Sequence, residues 1–364
     1  MPLSQFDPER YFEFLSEKES RMATLFTPFT IKKPDVFASP KTHFRYRAEF
    51  RIWHEGDDFD FVIFPKGQNK SPIKLKDFPI ACLQINQLMP KLKASIEKID
   101  ILKRKLFQVE FLTTLTGDAL VSLIYHKKLD DEWQNKARTL ASDLGIQLIG
   151  RSRKQKIVIE SDAVVETLTV AGESYCYRQT EGGFTQPNPY INQSMLTWAS
   201  KQLTHSNGDL IELYCGNGNF TLPLAKHFDR VVATEISKTS IYNAKWNCEK
   251  NTVDNISFLR LSSEEFTAAM KKEREFRRIK DAQIDLDDFN LTTILVDPPR
   301  AGLDNDTLSL VSCFDHIVYI SCNPTTLVEN LVTLTKTHEV SRWAIFDQFP
   351  YTDHIETGVF LKRK

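Results

Sequence analysis

Between Asp209 and Phe349 six short apolar runs, DLIELYC, RVVATEI, ISFLRL, TTILVDPP, HIVYISC and SRWAIFDQF, recur with helical stretches between them. Runs of this kind lack the polar alternation of a strand with one wet face. They fit strands covered on both sides. Strand and helix in strict alternation dictate parallel pairing through crossover helices, so residues 177–364 are expected to form an α/β, doubly wound domain.

The preceding sequence obeys a different period. From Pro8 to about Leu25, Tyr11, Phe12, Leu15 and Met22 recur at helical spacing, and Pro28, Pro34 and Pro40 then break the pattern, which sets residues 1–40 apart as an N-terminal helical segment. In HFRYRAEFRIW, residues 43–53, Phe44, Tyr46, Ala48, Phe50 and Ile52 alternate with Arg45, Arg47, Glu49 and Arg51, the period of a strand with one charged face. LFQVEFLTTL and ALVSLIYH, joined by Thr116-Gly117-Asp118, read as a hairpin, and Glu132 to Leu144 as a helix. Residues 41–176 are thus expected to be a β-rich α+β domain placed N-terminally to the doubly wound one. They carry a basic cluster at Arg151, Arg153, Lys154 and Lys156.

With 41% hydrophobic and 26% charged residues, the chain is an ordinary globular one and no low-complexity polymer. Its net charge of -1 hides an asymmetry: residues 1–160 hold 27 basic against 21 acidic side chains, and the remainder 20 against 27. The first half is the expected polyanion binder. No apolar run approaches the roughly 20 residues of a membrane span, and the start lacks a basic then apolar leader, so cytoplasm is the expected compartment. Cys82, Cys176, Cys215, Cys248, Cys313 and Cys322 form no Cys-x-x-Cys pair. That spacing argues against a disulfide framework and against a structural zinc or iron–sulfur site, and no metal is expected.

LIELYCGNGNF, residues 210–220, is a buried-type strand running into a Gly-x-Gly turn and a helical stretch from Thr221. Glycines there let backbone approach a ligand closely, but the third glycine of a nicotinamide-binding turn and the Gly-Lys-Ser/Thr of a P-loop are missing. Glu235 ends the next strand about twenty residues on, where a carboxylate can accept hydrogen bonds from both ribose hydroxyls of a nucleoside. Asp297 ends a third strand in LVDPPR. Together these have the pattern of class I (Rossmann-like) S-adenosylmethionine-dependent methyltransferases.

VYISCNPTTL, residues 318–327, carries a strand directly into Cys322, and Pro324 forces a turn that leaves the thiol on the same rim as Asp297. Methylation at carbon 5 of uracil needs such a group, because that carbon becomes nucleophilic only after a thiolate adds at carbon 6. A base must later remove the carbon 5 proton. Asp353, His354 and Glu356 lie in a turn near the C-terminus; Glu356 is the first choice and His354 the second, a solvated loop being the alternative. Arg300 follows Asp-Pro-Pro where amine methyltransferases commonly place an aromatic ring, and a cation there suits phosphate or a uracil oxygen gaining charge. A cytosine-5 methyltransferase would use the same thiol chemistry.

HFRYRAEFRIWHEGDD, FLTTL, YHKKLDDEW, FTQPN, ELYCGNGNF, VDPPRAGLD, YISCNPTTL and FPYTDHIETGVFL together resemble the RNA uracil-5 methyltransferases along the whole chain. The resemblance implies Cys322 as nucleophile and Glu356 as proton acceptor. S-adenosylmethionine as methyl donor would touch Gln186, Tyr214, Asn219, Glu235 and Asp297. Members acting on 23S ribosomal RNA usually carry a further N-terminal β-barrel and a four-cysteine iron–sulfur site. Neither pattern occurs here, which points toward tRNA, with its T-arm as the part bound and the T-loop of tmRNA as a second substrate. No obligate protein partner is implied. A T-loop uridine must be extruded before it can react, and RNA loops are gripped by rings and cations. Phe44, Tyr46, Arg47, Arg51, Phe107 and His126 are the candidates in the β-rich domain, although alternation requires some of them to be core.

Overall fold

Parallel pairing holds together the larger of two compact units in the computed structural model, which describes residues 6–30, 32–64, 71–204 and 207–364. This unit comprises Glu9–Ser39, Leu168–Tyr177 and Tyr190–Lys364; the smaller, in its described residues, is built from residues 6–8, Pro40–Thr167 and Arg178–Pro189. The chain therefore passes between units more often than the expected division at residues 40 and 176 allows for.

Among the described residues the larger unit has an eight-stranded sheet in the order Asp35–Phe37, His338–Phe346, Glu356–Arg363, His316–Ser321, Leu291–Val296, Asp209–Leu213, Val231–Thr234, Ile256–Leu259. All pairings are parallel except those of Glu356–Arg363, which runs antiparallel to both neighbours. The six apolar runs all appear as strands. Their continuity has a physical cause: Ile317 to Ile320 and Ile294 to Val296 are buried on both faces of the sheet, so neither face selects polar residues. Strand order reverses between Asp209–Leu213 and Leu291–Val296, the point at which doubly wound sheets open a ligand crevice.

The helix Tyr11–Phe26 belongs to this unit. Tyr11, Leu15, Met22 and Phe26 form its buried stripe, and the Phe26 ring stacks on Trp343 with centroids 4.4 Å apart. Burying each such side chain contributes about 1.5–3 kcal/mol. Phe12, read from the sequence as part of that stripe, is instead 61% exposed.

In the smaller unit the described residues form a seven-stranded sheet, Ile73–Lys74, Asp58–Ile63, Arg47–Glu55, Leu106–Thr113, Ala119–Tyr125, Gln147–Ser152, Gln155–Val158. Ala48, Phe50 and Ile52 turn inward while Glu49 and Arg51 face solvent, as the alternation requires. Phe44 is buried and is core. The one parallel pair, Ala119–Tyr125 with Gln147–Ser152, is made possible by the crossover helix Asp131–Leu144. Asp130 caps that helix by accepting from the Trp133 N–H, and Gly145 ends it at φ 63°. A side chain at Gly150 would run into the Trp133 ring, so the strand beneath the helix needs glycine there. The helix Leu83–Glu97, which contains Pro90, completes the layer. Among the described residues no helix is long and apolar enough to cross a membrane.

Candidate active site

Register turns distant sequence positions into neighbours. Leu213 pairs with both Thr234 and Val296, so the next residues, Tyr214, Glu235 and Asp297, leave three adjacent parallel strands at one level of the carboxyl edge. Tyr214 is held at φ 62°, an uncommon conformation for an aromatic residue that marks a constrained site; its hydroxyl donates to Ser263 Oγ at 2.6 Å. Glu235 accepts from the Gly216 N–H at 3.1 Å through one oxygen and from the Ser237 N–H at 2.7 Å through the other. Each carboxylate oxygen keeps a lone pair for a further donor.

A methyl donor with a nucleoside and a cationic centre fits this rim on three observations. A Cβ built on Gly216 meets nothing within 4 Å, so the turn faces open space. Glu212 Oε2 is buried without a hydrogen-bond partner. Burial, and secondarily the Asp297 charge, pushes the Glu212 carboxyl up to about 8, while burial pushes Asp297 up to about 7. Carboxyls held this far above their ordinary range would be relieved by a neighbouring cation. Asn219 is committed within the protein: its amide exchanges a pair of 2.9 Å hydrogen bonds with Asn192, and its carbonyl accepts from the Tyr177 hydroxyl.

Cys322 and Glu356 stand at the other end of the same edge. Ile320 pairs with Gly358 and Ser321 with Thr357; the ladder ends there, with Cys322 the residue after Ser321 and Glu356 the residue before Thr357. Sequence reading put Glu356 in a turn, but the turn ends before it, and Glu356 opens the last strand with 5% of its surface exposed. Burial, then the nearby Asp297 charge, holds its carboxyl well above the usual range, with Arg300 opposing. Cys322 is half-buried. Burial pushes its thiol up, Glu356 and Asp297 add to that, and Arg300 pulls it down.

Asn323 and Pro324 hold the thiol at the head of the helix Pro324–Leu334, where Asn323 caps the Thr325 N–H. The Asn323 amide and the Thr326 hydroxyl both donate to the Arg300 carbonyl, at 2.9 and 3.3 Å, tying the loop after Asp297 to the turn that carries Cys322. A cavity of about 650 Å³ opens over this group, lined by Cys322, Arg300, Asn323, His354 and, from the N-terminal helix, Arg21. His354 thus reaches the cavity as well.

The sequence did not reveal what fixes the turn before Glu356. Lys18, 6% exposed, sends its ammonium into that turn. It donates to Asp347 Oδ1 at 2.6 Å and to the Phe349 and His354 carbonyls at 3.0 Å each. One side chain thus joins both ends of the turn, using the donors an ammonium carries. Glu212 was also missed as a separate acidic group, although its place as the last acidic residue before the glycines was a readable signal.

In the smaller unit, the Arg51 guanidinium lies 3.7 Å from the Phe107 ring centroid, and Phe107 stacks on His126 at 3.9 Å and 26°. Arg47 donates to the Gly183 carbonyl at 2.6 Å and is partly spent on structure. Gln186 lies in the Arg178–Pro189 stretch of this unit, whereas Tyr214, Asn219, Glu235, Asp297, Arg300, Cys322 and Glu356 belong to the larger one.

The sequence matches the model of the family described as tRNA (Uracil-5-)-methyltransferase over residues 10–364. It is 53% identical over 364 residues to a protein of Stutzerimonas stutzeri (strain A1501), and 52% identical over 363 residues to one of Saccharophagus degradans (strain 2-40 / ATCC 43961 / DSM 17024). Both are named tRNA/tmRNA (uracil-C(5))-methyltransferase, and the matches cover 100% of this chain and 100% and 99% of the relatives. The fold is similar to that of the Pyrococcus abyssi tRNA (uracil-54, C5)-methyltransferase solved with S-adenosyl-L-homocysteine, with a TM-score of 0.73 at 21% identity, covering 96% of this chain and 83% of that one. With a family match running from residue 10 to the last residue, the chain belongs to the tRNA (Uracil-5-)-methyltransferase family.

Proposed function

We propose that the chain methylates carbon 5 of the T-loop uridine of tRNA, position 54, and the equivalent uridine of tmRNA, with Cys322 as nucleophile. The observation that supports this reading is that the ladder pairing Ser321 with Thr357 ends with Cys322 and the buried Glu356 as the next residues, on the edge where Asp297 also stands. S-adenosylmethionine, when bound, supplies an electrophilic methyl group on a sulfonium. Glu235 would hold the ribose hydroxyls, Tyr214 and Asn219 would border the nucleoside, Asp297 and Glu212 would face the cationic end, and Gln186 is a further proposed contact.

Cys322 adds as thiolate to carbon 6 of the extruded uracil, and the electron pair of the 5,6 double bond moves onto the ring as an enolate. Arg300 lowers the thiol toward its reactive form and can stabilise the enolate oxygen. Carbon 5, now nucleophilic, takes the methyl group. Glu356 then accepts the carbon 5 proton, and the carbon–sulfur bond breaks to return free Cys322. Burial raises the proton affinity of the Glu356 carboxylate, which strengthens it as an acceptor once ionised. Arg47, Arg51, Phe107 and His126 are proposed to grip the T-arm.

The test is methylation of a T-arm hairpin followed by digestion and mass spectrometry. 5-Methyluridine at the T-loop position is expected; methyl on cytidine, or none, overturns the reading.

A further inference from the structure

The basic cluster in the smaller unit has no part in that chemistry, yet it stands at a built surface. Ala119–Tyr125 and Gln147–Ser152 pair in parallel, Ile124 opposite Arg151, so the loop after the first strand and the hairpin after the second emerge at the same end. Ser152 pairs with Gln155, leaving Arg153 and Lys154 as a two-residue tip with Lys154 at φ 60°. Such a position favours glycine or asparagine, and here it carries a lysine.

The tip is fixed to the loop. Gln155 donates to the Leu129 carbonyl at 3.1 Å and accepts from the Leu129 N–H at 3.0 Å, and the Ser152 hydroxyl donates to the Lys127 carbonyl. Between them lies a groove of about 870 Å³, whose lining includes His126, Lys128, Arg153 and Lys154. Two neighbouring cations are already neutralised: Arg151 forms a bidentate pair with Glu181, and Lys156 bridges Asp162 and Glu181. Lys127 is turned inward to the Ile101 carbonyl. Lys128, Arg153 and Lys154 are exposed, and among the described residues none of them forms an ion pair. The stacked column of Arg51, Phe107 and His126 presents its last ring, exposed His126, to the same groove.

Unpaired cations beside a flat ring are the combination that holds nucleic acid strands, cations on phosphates and rings under bases. We infer that this groove is a phosphate-binding site for the backbone of the RNA substrate, with Lys128, Arg153 and Lys154 supplying its charge. The inference rests on the chain acting on RNA.

The experiment measures equilibrium binding of an unmodified full-length tRNA transcript between 50 and 200 mM KCl. Wild type is compared with K128Q/R153Q/K154Q and with the charge-retaining K128R/R153K/K154R. Each phosphate contact contributes about 0.7–0.9 to the slope of log K against log salt. The neutral variant should therefore lose about 2–3 from the slope, so that its deficit against wild type shrinks about 20- to 40-fold over that range, while the charge-retaining variant keeps the wild-type slope. Parallel lines for wild type and the neutral variant overturn the groove alone, as does loss of slope in the charge-retaining variant. A wild type that does not bind the transcript overturns the groove together with the proposed function.

Discussion

The surroundings of Cys322 disfavour its thiolate, and this makes its proposed attack on the uracil ring sensitive to charge. Burial, Glu356 and Asp297 raise its pKa and Arg300 lowers it. Thiolate is the attacking species, so capture of 5-fluorouridine RNA as a covalent adduct should speed up as pH rises. Arg300→Gln should move that profile to higher pH, and Glu356→Gln to lower pH, in rapid-quench measurements of adduct formation. Shifts in one common direction would contradict this electrostatic account. At neutral pH Cys322→Ala should give neither adduct nor product while still binding S-adenosylmethionine in calorimetry. With ordinary uridine RNA, Glu356→Gln should slow release by about 10²–10⁴-fold, the contribution of a positioned base, and accumulate a protein–RNA adduct visible on denaturing gels. Normal turnover would remove Glu356 from the step. The position of Cys322 was legible from a strand ending in Cys-Asn-Pro. Glu356 was legible only as the first choice among Asp353, His354 and Glu356, because its placement depends on how Glu356–Arg363 pairs, and no local pattern records pairing.

At the scale of elements, the six parallel strands were legible because burial on both faces writes itself into the sequence as unbroken apolar runs. Asp35–Phe37 was not: three residues joining the sheet beside Ala344 to Phe346 are too short to show a period. Nor was the docking of the N-terminal helix, since Lys18 and Asp347 stand 329 residues apart and neither is apolar. Lys18 and Asp347 are almost wholly removed from solvent. Lys18→Met strands the Asp347 carboxylate in that environment and should cost about 3–5 kcal/mol. Replacing both, with Asp347→Leu, removes the stranded charge and should recover most of the loss. Urea unfolding of the two single variants and the double decides this; additive losses would show that the pair acts independently.

For the whole molecule, the carboxyls at the rim couple stability to pH in an unusual direction. Glu212 is held near 8, Asp297 near 7, and Glu356 well above its ordinary value. Each keeps its proton in the fold after the unfolded chain, with ordinary values of 4.5 for Glu and 3.8 for Asp, has released it. The folded state therefore binds more protons across this interval, and the contribution of these groups to stability falls as pH rises from about 5 to about 8. One such proton is worth about 1.4 kcal/mol per pH unit. Glu212→Gln cannot titrate, so its unfolding free energy should decline with pH less steeply than that of wild type by about that amount. S-adenosylmethionine, bringing positive charge to the rim, should favour the ionised carboxyls. At a fixed concentration a hundredfold above its Kd at pH 6 it should add about 2.7 kcal/mol at that pH, and the further gain at pH 8 should be larger for wild type than for the Gln variant. Urea unfolding across this pH range, with and without S-adenosylmethionine, measures both effects. Equal slopes for wild type and Glu212→Gln would mean that the carboxyl is already ionised in the fold and that the rim does not store the proton assigned to it.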